Sequence, residues 1–76
     1  MTTNAITPGT TVIDRAYATR DRVQYATLMV VLSPVIETGP RRGTIIIERW
    51  DDDVRIIDHV WADEVVPMRD VLQSQS

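Results

Sequence analysis

Two alternating runs, Thr44 to Trp50 and Val54 to Val60, flank Asp51-Asp52-Asp53 and predict a β-hairpin with an acidic tip. In the first run Ile45, Ile47 and Arg49 share one face, and Thr44, Ile46, Glu48 and Trp50 share the other. On the return run Val54, Ile56, Asp58 and Val60 oppose Arg55, Ile57, His59 and Trp61. Every face mixes apolar with charged residues, which suits strongly curved strands better than a flat sandwich. Upstream, the turn signal Pro8-Gly9 opens a strand from Thr10 to about Ala16, packed on one side with Val12 or Ile13 as its anchor. The segment YATRDR reads as a loop, and Val23 to Leu32 as the longest strand. The second half of that strand is apolar on both faces, as in a central strand or one entering an interface. Ser33-Pro34 interrupts the ladder because proline has no N–H to give, and Val35 to Glu37 resumes it briefly. TGPRRG is a loop, Ala62 to Val65 a short helical turn, and Met68, Val71 and Leu72 an apolar stripe if a second turn forms after Pro67.

Composition agrees with this mostly β reading. Ten Val, eight Ile and nine Thr stand against three Leu and no Phe, and branching at Cβ fits a pleated strand better than a helix. A chain of 76 residues supports one domain near the lower limit of unaided folding. Without cysteine it has neither disulfides nor thiolate metal sites to help. The expected organisation is a flexible N-terminus over residues 1–7, a single small β domain over 8–72 and a flexible tail over 73–76. MTTNAITPGTT lacks the basic and apolar regions of a signal peptide, and the longest apolar run, Leu28 to Leu32, is too short to span a bilayer. A cytoplasmic location is the expectation.

Charge changes the picture more than the net −3 implies. All eight cations are Arg, and Asp outnumbers Glu eight to three. This lysine-free, acidic composition resembles that of proteins from halophilic archaea, and GC-rich bacteria and their phages also favour Arg over Lys. From Glu48 to Glu64 seven acids face two arginines, a local −5. Such a density disfavours generic nucleic-acid binding at low salt.

Several motifs resemble the small SH3-like β-barrels. PGTTV at Pro8 to Val12 is similar to their opening strand, GTIII at Gly43 to Ile47 followed by Trp50-Asp51 to a central one, and VWADEVVP at Val60 to Pro67 to their closing piece. The resemblance implies about five antiparallel strands, with a 3-10 turn before the last. The DDD tip and the long apolar Val23 to Leu32 depart from it.

Candidate chemistry is sparse. The series from Asp51 has no Gly at the bend and reaches Ala62 where a calcium loop needs Glu, so the aspartates read as a solvated turn. His59 is the single histidine, too few for zinc, and reads as a half-buried or surface strand residue. No serine lies in a Gly-flanked elbow and no Gly-rich phosphate loop occurs. No cofactor and no catalytic residue is assigned, and an enzyme is the least favoured class. Arg41 and Arg42 are candidates for an anion or acidic partner. Trp50, Trp61 and Tyr25 could form a binding face, with one Trp expected in the core or a dimer interface because no Phe is available there. The expected function is a non-catalytic protein-interaction or assembly module that binds another protein or itself, self-association falling on Val23 to Leu32 as an apolar edge. The alternatives are a nucleic-acid-associated regulator using Arg41, Arg42, Arg20 and Arg22 with an exposed Trp, and a phage-type acidic inhibitor that mimics nucleic acid.

Overall fold

A computed structural model describes residues 6–74. The chain is mainly β: one five-stranded antiparallel sheet in the order β4-β3-β2-β1-β5, with 3-10 turns and a short C-terminal helix. The strands are β1 (Thr11–Asp14), β2 (Met29–Val31), β3 (Thr44–Asp51), β4 (Val54–Trp61) and β5 (Val65–Pro67), and the helix is α1 (Met68–Ser74).

The hairpin of β3 and β4 is the longest ladder, running from Thr44 opposite Trp61 to Asp51 opposite Val54. Only Asp52 and Asp53 form its loop, and both have positive φ, 49° and 68°. That is the geometry of a type I′ turn, whose twist matches that of the flanking strands. Asp51, expected in the tip, therefore belongs to β3. A two-residue loop makes Asp51 and Val54 a hydrogen-bonded pair, so Ile56, Asp58 and Val60 also turn their backbone groups toward β3. The Ala62 N–H continues this pattern onto the Gly43 carbonyl at 2.9 Å.

Val23 to Leu32 is not one strand. Val23–Tyr25 is a 3-10 turn and only Met29–Val31 pairs. Thr19 bends the chain beforehand: its hydroxyl accepts the Arg22 N–H and its carbonyl accepts the Val23 N–H. Nor is the segment an edge, because β2 lies between β1 and β3, so the expected self-association there loses its basis. At Ser33-Pro34 the ladder is interrupted as expected, yet Ser33 fills the gap, its Oγ accepting the Ile46 N–H at 3.1 Å. Pairing then resumes two residues out of step, with Ile36 bonded to both Thr44 and Gly43 through their backbones.

The core is aliphatic: Val12, Met29, Val31, Ile45, Ile47 and Val65 cluster on one face. Ile6 packs against that cluster, and the Thr7 N–H donates to the Thr10 hydroxyl. Ser74 closes α1; of the terminal segments expected to be flexible, residues 1–5 and 75–76 lie outside the described residues. The first strand stops at Asp14, which caps the following 3-10 turn, Arg15–Tyr17, by accepting the Ala16 N–H. Val12 and Ile13 are both fully buried although they point to opposite faces. Ile13 and the buried Val71 stand apart from the main cluster, and α1 packs on β1 and β5. The helix thus covers the second face of β1, correcting the expectation that this strand is packed on one side. Val71 carries the expected stripe, whereas Leu72 stays exposed.

The sheet coils strongly. By register, Asp14 opposite Val65 lies level with Asp51, while Trp61 lies level with Thr44. In a flat sheet those rows would be roughly 24 Å apart at about 3.4 Å per residue. Only the 3-10 turn Ala62–Glu64 joins them, and four Cα steps reach at most about 15 Å. Coiling supplies the difference and lets Arg15 Nε donate to the Asp63 carbonyl at 2.9 Å. Among the described residues β4 and β5 do not pair, so the sheet is not closed into a barrel.

Candidate functional site: the outer face and edge of the hairpin

Strand register decides which side chains share the face turned away from the core. Ile45 and Ile47 point inward, so Thr44, Ile46, Glu48 and Trp50 of β3 point outward, beside Trp61, His59, Ile57 and Arg55 of β4. Trp50, Ile57 and Trp61 are 59%, 48% and 53% exposed. Of the expectation that one Trp packs in the core or in a dimer interface, the core half does not hold, because Val, Ile and Met fill the core without a ring. The two tryptophans stand on one surface, separated by six residues along β4's register, or roughly 20 Å. Between them Arg55 pairs with Glu48 across the strands.

Arg41 and Arg42 lie exposed on the β2–β3 loop. The loop is anchored by Thr44, whose N–H and hydroxyl both donate to the Arg41 carbonyl, at 3.1 and 2.6 Å. Gly43 follows with φ +89°, and the Trp61 ring stands over it. The sequence candidates Arg41, Arg42 and Trp61 are thus brought to one end of the hairpin, the base, where coiling also places Arg15 beside Asp63. Trp50 stands at the other end next to the aspartate tip. Tyr25 is highly exposed on its own turn in the β1–β2 connection, as are Arg20 and Arg22; Arg22 Nη1 donates to the Ala16 carbonyl.

The acids do not form one patch. Asp52 and Asp53 form the tip with Asp51 ending β3 beside them, Asp63 and Glu64 follow the base, and Glu48 is engaged by Arg55. The local −5 is therefore spread along a ladder roughly 25 Å long. Among the described residues no three of His, Cys, Asp and Glu are grouped to hold a metal ion. His59 is half-buried on the outer face opposite Ile46, and the Asp58 carboxylate engages its backbone N–H rather than its ring.

Sequence reasoning missed that, among the described residues, one edge of β4 pairs with no strand. Its two-residue turn sends the N–H and C=O of Arg55, Ile57 and His59 away from β3. The His59 N–H is met by Asp58 Oδ1 at 2.8 Å, which guards one position of the edge. The opposite edge is short, contains Pro67 and runs straight into α1, all devices that blunt a sheet edge. The signal that could have found β4 was its place as the last strand of a long hairpin, followed by a turn. Among the described residues no helix is long and apolar enough to cross a membrane. No protein-family model matches the chain, and no curated protein or solved structure matches it either.

Proposed function

We propose that this chain is a non-catalytic protein-interaction or assembly module on an SH3-like framework, offering the outer face of the β3–β4 hairpin to a protein partner. One observation carries the reading: Trp50, Ile57 and Trp61 share a single solvent-facing surface while an aliphatic core is complete without them. Large rings left on one face are the kind of anchor that dominates protein interfaces. The 3-10 turn leading into β5 at VWADEVVP is what the SH3-like resemblance implies, and the coil that this short connection demands supports that framework.

The test is affinity capture with crosslinking, comparing the wild-type chain with a Trp50→Ser/Trp61→Ser double variant of unchanged circular dichroism. The reading expects a bound protein, a second copy included, whose capture falls at least about tenfold in the variant. Equal capture by both chains overturns it.

A nucleic-acid-associated reading draws on one observation, the exposed Arg41 and Arg42 on the loop that enters Gly43, over which the Trp61 ring stands. It expects salt-dependent RNA or DNA binding that an Arg41→Ala/Arg42→Ala variant loses. The spread of acids to both ends of the hairpin disfavours nucleic-acid mimicry.

A further inference from the structure

We draw no further inference here: the strongest candidate, the edge of β4 at Arg55, Ile57 and His59 that pairs with no strand among the described residues, mixes apolar and charged side chains, and nothing in the structure shows what covers it.

Discussion

The Trp61 ring covers Gly43 so closely that a Cβ on that glycine would lie 3.4 Å from Trp61 Cζ3. The contact closes the base of the hairpin, just where the Gly43 carbonyl accepts the Ala62 N–H. Gly43 also sits at φ +89°, a region that a side chain enters at a cost of about 1–2 kcal/mol. Gly43→Ala should therefore destabilise by about that amount, with the ring itself yielding a few tenths of an ångström. Urea midpoints measure the loss, and a shifted tryptophan emission would place it at the base. An unchanged midpoint would mean that the loop relaxes out of its left-handed conformation.

At the other end, Asp52 and Asp53 both adopt positive φ without glycine. Asn-Gly is the pair that a type I′ turn favours, and the exchange also removes two of three adjacent carboxylates. Asp52→Asn/Asp53→Gly should hold or raise stability, by up to roughly 1 kcal/mol. Thermal unfolding gives the sign. Loss of partner binding in a well-folded variant would show that the aspartates do more than turn the chain.

The hairpin was legible in the sequence because its alternation of period two and its acid-rich interruption point the same way. What periodicity could not convey is what covers each face. Ile13 and Val12 looked like alternatives for one anchor, yet both are buried, because α1 folds back over the second face. The apolar Val23 to Leu32 had the composition of a strand, but the Thr19 turn spends its first residues on a 3-10 bend. The tryptophans misled in a different way. A chain without Phe seemed to need one of them in the core or in a dimer interface, but β-branched side chains and Met29 complete the core. For the site, Arg41, Arg42 and Trp61 were each visible, whereas their meeting depends on Gly43, and the approach of Arg15 on the coil of the sheet, neither of which a linear pattern displays. Tyr25 was named with them on ring chemistry alone.

Two isoleucines on opposite faces separate fold from surface. Ile47 is fully buried in the core cluster, and Ile57 is about half exposed on β4. Ile47→Ala should cost about 2–5 kcal/mol through lost burial and an unfilled cavity, enough to unfold much of a small domain. Ile57→Ala should cost under about 1 kcal/mol. Denaturation monitored at a dilution that keeps the chain monomeric tests the contrast. Comparable losses would imply that Ile57 is covered in the free chain.

Ser33 makes the last case, since a hydroxyl there replaces a ladder carbonyl. Pro34 ends β2's pairing, and the Ile46 N–H would otherwise face the gap; Ser33 Oγ accepts it at 3.1 Å and donates in turn to the Pro34 carbonyl at 3.0 Å. The site is partly buried, so water replaces the hydroxyl only imperfectly. Ser33→Ala should cost about 1–2 kcal/mol, the range for stranding a buried donor, and Ser33→Thr should recover most of it. Amide exchange identifies the cause: Ile46 should exchange faster in the alanine variant relative to Ile47, whose N–H is directed to β4. If both amides accelerate equally, the loss is global, and the serine contributes through packing rather than through this bond.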